Sequence, residues 1–248
     1  MGNPRLRPLV LGHRGYRARY PENTLLAFRE ALAAGADGIE CDLQKSVDGR
    51  YVVIHDAWTG RVAGTRLEVG RARLADLRFR DLGSGERIPV LEELLEALPP
   101  EAFLDIELKE ETLTPEDCDG VSRIIDTHRG RRNLMISSFE PRLLAPFRAK
   151  GFDVGLLIGE EAARLGFRGL LRILFRLRPQ FLNLPVEIIR LLGRSRALLV
   201  FRILRIIGVS LVFWTVNSSE DAELLARHAR LIVTDEVERI VEALRERG

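Results

Sequence analysis

The sequence predicts an α/β fold, a (β/α)8 TIM-type barrel with a short β-hairpin arm after strand 2. Three observations carry that expectation. Short runs rich in aliphatic and β-branched residues alternate with longer amphipathic stretches along the whole chain. The 248 residues match the length that eight strand–helix units need. No G-x-G-x-x-G follows the first strand, which weighs against the rival open sheet built around a dinucleotide.

Taken in order, Leu9–His13 reads as the first strand, and Thr24–Ala34 as a helix opened by Asn23-Thr24 and stopped by Gly35. Gly38–Leu43 is the second strand. Tyr51–His55 follows across Ser46–Arg50, too short for a helical crossover, and its Val-Asp-Gly turn predicts an antiparallel return strand. The span Ala57–Arg87 reads as the longest irregular loop, placed to cover the barrel mouth. Then Leu91–Leu98 (helix), Phe103–Leu108 (strand) and Pro115–His128 (helix, started by Thr114-Pro115) succeed one another. Leu134–Ser138, Val154–Ile158, Phe181–Leu184, Leu211–Val216 and Leu231–Thr234 complete the eight barrel strands. The helices expected between and after them are Pro141–Lys150, Glu161–Arg176, Ser218–His228 and Asp235–Arg247.

Composition fits one barrel domain over residues 1–248. Apolar residues are 46% and charged residues 30%, so a core of this size needs no covalent staples. Cys41 and Cys118 form neither a zinc spacing nor a disulfide framework, which points to a reduced, cytoplasmic setting. The N-terminus shows no apolar run of signal length, and no stretch nears the ~20 apolar residues of a membrane span. A net charge of +2 argues against a nucleic-acid partner. The charge is uneven, however: residues 162–210 hold ten arginines and one acid, Glu187.

In such a barrel the chemistry sits at the C-terminal ends of the strands, and four polar clusters fall there. Gly12-His13-Arg14-Gly15 ends the first strand, where glycines let backbone approach a ligand; a satisfied loop histidine is the plain alternative. In Glu40-Cys41-Asp42, alternation puts both carboxylates on one face. Facing a barrel interior they repel unless a cation lies between them, and carboxylates favour hard ions such as Mg²⁺ or Ca²⁺. A surface strand with solvated acids would share the pattern. His55 follows three aliphatic residues at the end of a buried run, with Asp56 beside it as a cap or turn residue. In Asp105-Ile-Glu-Leu-Lys109, Glu107 and Lys109 share a face, offering a third carboxylate and a cation for a phosphate oxygen; Asp105 lies one layer deeper as a partner. Lysine is scarce, at three against 35 arginines. With no G-x-S-x-G elbow, this inventory suits metal-assisted hydrolysis or transfer at phosphorus. One histidine would activate the attacking hydroxyl and the other protonate the leaving alkoxide.

These residues resemble the glycerophosphodiester phosphodiesterase family. The likeness rests on His13-Arg14-Gly15, Pro21-Glu22-Asn23-Thr24, Gly35 to Asp42, Asp48-Gly49 and Val53-Ile54-His55-Asp56. It continues through Ile88-Pro89, Glu107-Leu108-Lys109, Ser137-Ser138-Phe139, Trp214-Thr215-Val216-Asn217 and Thr234-Asp235. The resemblance implies a barrel that cleaves glycerophosphodiesters into glycerol 3-phosphate and an alcohol. It implies His13 and His55 as the acid/base pair, Glu40, Asp42 and Glu107 as metal ligands, and Arg14 and Lys109 as phosphate contacts. It also implies that Asn23 orders the first loop at the substrate site, with Glu22 at the rim, and that Trp214 walls the glycerol or the alcohol. Two loops depart from the family pattern: Ala57 to Thr65 lacks the usual Arg-Thr-Thr ending, and His228-Ala229-Arg230-Leu231 replaces Gly-Val-Asp-Gly. The large capping insertion of some bacterial members is absent or reduced, leaving a more open mouth.

The arginine-rich run has two readings. Arg164, Arg168, Arg172 and Arg176 recur every four residues, opposite Phe167, Leu170, Leu171, Leu174 and Phe175; Ile188–Ile207 mixes aliphatics with five further arginines. Ordinary barrel helices, buried on one side and solvated on the other, would give this pattern. So would a basic amphipathic surface for peripheral membrane contact through 162–210, on the inner membrane face, with a lysolipid phosphodiester as substrate and lysophospholipase D-like hydrolysis as the activity. Two further classes stay open: an inactive phosphodiester-binding barrel, and a metal-dependent sugar isomerase or aldolase.

Overall fold

A computed structural model describes residues 7–159, 169, 171–206 and 208–245. Its nine strands are β1 (Leu9–His13), β2 (Gly38–Lys45), β3 (Tyr51–Val53), β4 (Phe103–Leu108), β5 (Leu134–Ser138), β6 (Asp153–Leu157), β7 (Phe181–Pro185), β8 (Ser210–Trp214) and β9 (Ala229–Thr234). Eight of them run parallel in the closed order β1-β2-β4-β5-β6-β7-β8-β9, with β9 returning to β1. β3 lies antiparallel on β2, so the arm forms as expected.

Each barrel strand is buried on both faces, one against the helices and one inside the barrel. The inside is split by depth. Leu11, Phe103, Met135, Phe181, Val212, Leu231 and Val233 fill the lower barrel as one apolar cluster. Polar side chains replace them toward the C-terminal ends. The register decides which of these become neighbours: His13 pairs with Glu40, Glu40 with Asp105, Asp42 with Glu107, and Glu107 with Ser137. Parallel in-register pairing therefore brings residues distant in sequence to the same level of the barrel wall.

The helices start where side-chain oxygens can accept from the orphan N–H groups of a first turn. Thr24 accepts from Ala27 N–H before helix Leu25–Ala33, and Ser218 from Asp221 N–H before Ser219–Leu225. Pro115–Asp117 forms a 3-10 turn that runs into helix Cys118–His128.

Several boundaries differ from the sequence reading. The strand expected over Leu211–Val216 ends at Trp214; Val216 is fully buried and donates to Val233 O, which gives it the appearance of a strand residue. The arm stops at Val53, although Ile54 N–H still reaches Asp42 O. The span Ala57–Arg87 is not irregular throughout. It carries helix Gly60–Ala63, the 3-10 turn Val69–Arg71 and helix Leu74–Leu77, and packs Val69 and Leu77 with Val52, Ile54, Ile88 and Val90 into a satellite core. Of the helix expected over Glu161–Arg176, only residues 169 and 171–176 lie among those described, and they are helical, as is Leu177. Arg164 and Arg168 lie outside the described residues. The basic stretch Ile188–Ile207 divides at Gly193 (φ +76°) into helices Ile188–Leu192 and Arg194–Ile206. Among the described residues no helix is long and apolar enough to cross a membrane.

Candidate active site

At the end of β1 the chain turns sharply. Arg14 (φ 55°) and Gly15 (φ 80°) both take left-handed backbone. At Gly15 a Cβ would sit 2.6 Å from the carbonyl carbon of Ala27, so only glycine fits there. The turn aims Arg14 N–H at Glu40 Oε2 (2.9 Å), locking loop to carboxylate. The guanidinium then lies over Asp42 (Nε to Oδ2, 3.1 Å) and reaches Glu22 (2.9 Å).

Glu40, Asp42 and Glu107 each bring one carboxylate oxygen within 4.8 Å of the others. Glu40 is 5% and Asp42 0% exposed, so three acids converge where water barely reaches. Lys109 Nζ forms an ion pair with Asp42 Oδ1 (2.9 Å) and hydrogen-bonds Glu107. The electrostatics divide the cluster. Burial opposes the charge on Asp42, but Lys109 and Arg14 outweigh it and hold Asp42 well below the usual carboxylate range. Burial, then Asp42, Glu107 and Asp105, push Glu40 well above it. Burial, with Asp42 outweighing part of the relief from Lys109, lifts Glu107 to about 7. Asp105 rises to about 8, chiefly from burial, although Ser137 Oγ donates to it (2.7 Å). The trio therefore holds either protons or a cation. Glu40 Oε1 is buried without a hydrogen-bond partner, and an all-oxygen donor set is what a hard divalent ion takes, so these residues fit one.

Two imidazoles face this cluster. His13 Nδ1 lies 2.7 Å from Asp235 Oδ1, and its Nε2 lies 4.0 Å from Glu40 Oε2. His55 Nδ1 lies 2.6 Å from Asp56 Oδ1. An ionised carboxylate only accepts, so each Nδ1 carries the proton and each Nε2 is left for the site. Burial lowers the pKa of His55, against the pull of Asp42.

The cavity over these groups has a volume of about 310 Å³ and is lined by His13, Glu40, His55, Glu107, Lys109 and Trp214 among others. A neighbouring opening of about 410 Å³ shares His55, Glu107, Lys109 and Phe139 with it. The Phe139 and Trp214 rings meet edge to face at 5.7 Å and form an apolar side of the mouth.

The profile of the glycerophosphoryl diester phosphodiesterase family matches residues 13–239. The chain belongs to that family. It is 31% identical to a glycerophosphodiester phosphodiesterase of Caldanaerobacter subterraneus over 98% of this chain and all of that one. It superposes on a crystal structure of a Thermotoga maritima glycerophosphodiester phosphodiesterase with a TM-score of 0.81 at 35% identity, covering 95% of this chain and 97% of that one. An Oleispira antarctica phosphodiesterase, solved with its product sn-glycerol-3-phosphate, shares the fold at a TM-score of 0.84 and 24% identity, covering 96% and 97%.

In this glycerophosphoryl diester phosphodiesterase family member, the nine residues singled out in the sequence lie together. His13, Arg14, Glu40, His55, Glu107, Lys109 and Trp214 line the cavity, and Asp42 lies behind Lys109 and Arg14. Asn23 lies behind Asp42, and its N–H ties the first loop by donating to Arg14 O (3.0 Å). It is 2% exposed, its Nδ2 donates to Asp42 Oδ2 (2.8 Å), and its Oδ1 accepts from Asp42 N–H (3.3 Å), so it positions a carboxylate.

Three partners escaped the sequence reading. Asp56, set aside as a cap, holds His55 and accepts from Arg61 Nε (2.6 Å). Arg61 continues to Glu22, which joins Arg14, so a chain of alternating charges links both histidine loops. Asp235 holds His13 and is itself fixed by Asn217 Nδ2 (2.9 Å). Asn183 lies beside Gly155, where a Cβ would come within 2.8 Å of its Oδ1, and lines the cavity with that oxygen unpaired. The adjacency of Asp56 to His55 and the motif Thr234-Asp235 were usable signals; nothing in the spacing marks Asn183.

Proposed function

We propose that this chain, acting as one barrel domain, hydrolyses glycerophosphodiesters to glycerol 3-phosphate and an alcohol. One observation carries the reading: two imidazoles, each held at Nδ1 by an aspartate, line one cavity with a lysine, an arginine and Glu40 and Glu107, two of three converging carboxylates. Proton transfer at two opposite points of a phosphodiester needs such a pair.

Glu40, Asp42 and Glu107 would hold the divalent cation, Mg²⁺ or Ca²⁺. Bound there, it would polarise the phosphoryl group and neutralise charge on its non-bridging oxygens. Lys109 and Arg14 supply fixed positive charge beside the same oxygens, and Asn23 keeps the Asp42 carboxylate turned toward them. One imidazole takes the proton of the attacking hydroxyl at Nε2 and the other returns a proton to the leaving alkoxide, with Asp56 and Asp235 stabilising whichever ring is cationic. Trp214 and Phe139 shelter the carbon skeleton of the ester from water.

The test is turnover of a water-soluble glycerophosphodiester by His13→Ala and His55→Ala. Each is expected to lose roughly 10²–10⁴ in kcat with the circular dichroism spectrum unchanged. Full activity in either variant would overturn the acid/base assignment, and an inactive phosphodiester-binding barrel predicts no turnover even before mutation. A lysophospholipid is the second substrate class, distinguished by turnover of that substrate beside the water-soluble diester.

A further inference from the structure

Twelve large apolar side chains are exposed among the described residues, and eight of them fall within residues 171–206. That segment is about a seventh of the chain, so the concentration is not an effect of its length. The same residues include eight arginines, every one of them exposed, and a single acid, Glu187.

The arrangement within helix Arg194–Ile206 shows why ordinary packing does not account for this. Ala197, Phe201 and Leu204, spaced i, i+4 and i+7, make one stripe, with the first two fully buried and Leu204 packed on the core. Leu199, Ile203 and Ile206 repeat the same spacing on the opposite side and are 60%, 50% and 74% exposed. A helix that needs only to cover a barrel carries polar residues there. Here Arg196 and Arg202 flank the outer stripe instead.

The stripe connects with the mouth. β7 ends at Pro185, and Val186 N–H donates to the carbonyl of Trp214 (2.7 Å), tying this connection to the cavity wall. Helix Ile188–Leu192 begins two residues later and exposes Leu191 (79%) and Leu192 (38%) at the rim. Helix Arg194–Ile206 then runs about 20 Å down the outside of the barrel. In the neighbouring helical segment before β7, Leu171 and Phe175 are exposed between Arg172, Arg176 and Arg178.

We propose that this arginine-flanked apolar face docks the barrel side-on to an anionic lipid surface, with the rim beside Trp214 at the lipid boundary. Aliphatic side chains enter the headgroup–acyl boundary while arginines pair with lipid phosphates, the division of labour of an interfacial helix. Charge argues against a second copy of this chain as the occupant, because the two faces would each bring eight arginines and one glutamate together. The docking rests on this surface alone; that it delivers a lipid-derived phosphodiester to the site rests on the reading of the site given above.

The test is flotation of the full chain with vesicles of phosphatidylcholine and phosphatidylglycerol at low salt, beside pure phosphatidylcholine vesicles, for the wild type and for Leu199→Ser/Ile203→Ser. These positions are exposed and outside the cavity, so hydrolysis of a water-soluble glycerophosphodiester should be unchanged and reports folding in the same preparation. The expected result is binding to anionic vesicles only, at least tenfold weaker in the double variant. Near 1 M salt, where screening acts over about 3 Å, the wild type should release. Absence of anionic-vesicle binding, equal binding by the variant, or a dimer that the double substitution dissociates without any vesicle binding would each overturn the proposal. Vesicle binding by a chain that hydrolyses no phosphodiester would leave the docking intact and defeat the proposed function instead.

Discussion

Glu40 and Asp235 show two ways in which single side chains are committed to the site. Glu40 is a buried carboxylate with one unpartnered oxygen and three acidic neighbours, an arrangement that costs stability unless a cation completes it. Glu40→Gln is therefore expected to raise the Tm of the metal-free protein while lowering kcat at least a hundredfold; a lower metal-free Tm would contradict the idea that the charge is strained. Asp235 is not among the residues lining the cavity and reaches it through its contact with His13. Asp235→Ala is expected to lower kcat by about 10–100-fold, to alter the pH dependence of kcat and to leave KM nearly unchanged. An unaltered pH profile, or a loss equal to that of His13→Ala, would remove its positioning role. The difference between these residues also explains what could be read in advance. Glu40, Asp42 and Glu107 announce themselves because alternate acids in an apolar strand conflict with a buried face. Asp235 sits 222 positions from His13 and is joined to it only when β9 closes against β1.

Elements were legible where their pattern came from local chemistry. Thr24 and Ser218 mark helix starts because a hydroxyl beside an amphipathic run has a use there, and both accept the expected N–H. The eight strands were legible as apolar runs, but their ends were not, since Val216 and Ile54 are buried and hydrogen-bonded outside the ladders. The loop over Ala57–Arg87 hid three short helical turns because its order comes from packing on the arm through Val69 and Leu77. A single acid fastens that arm to the barrel. Asp117 accepts from Lys45 Nζ (2.6 Å), Thr114 N–H (3.0 Å) and Tyr51 Oη (3.2 Å), joining β2, β3 and the start of helix Cys118–His128. Burial opposes its charge, but these donors outweigh burial and hold its pKa below the usual value. A folded pKa below the unfolded one gives stability that is complete above the unfolded value, about 3.9, and is lost as pH falls through the folded value. Asp117→Asn should thus cost about 1–3 kcal/mol at pH 7 in urea unfolding, with the difference from wild type shrinking toward pH 2. A pH-independent difference would assign the loss to packing.

At the scale of the whole molecule, barrel closure turns sequence distance into proximity. β1, β2 and β4 supply His13 and Glu40 at one level and Asp42 and Glu107 at the next because parallel strands pair in register, and β3 returns the chain so that His55 re-enters beside them. The lower barrel is packed with apolar side chains, so the repulsion among the acids is met by a rigid wall instead of relaxing. A cation that binds the folded trio and has no comparable site in the unfolded chain must then stabilise the entire barrel by mass action. At a free concentration one hundred times its Kd, Mg²⁺ or Ca²⁺ is expected to add about 2.7 kcal/mol to the unfolding free energy. Excess chelator should abolish hydrolysis and lower Tm together, and restoring the ion should recover both. Glu40→Gln should be unresponsive in both measurements. Activity that survives exhaustive chelation, or an ion-dependent Tm rise retained in Glu40→Gln, would separate the cation from these carboxylates and place it elsewhere.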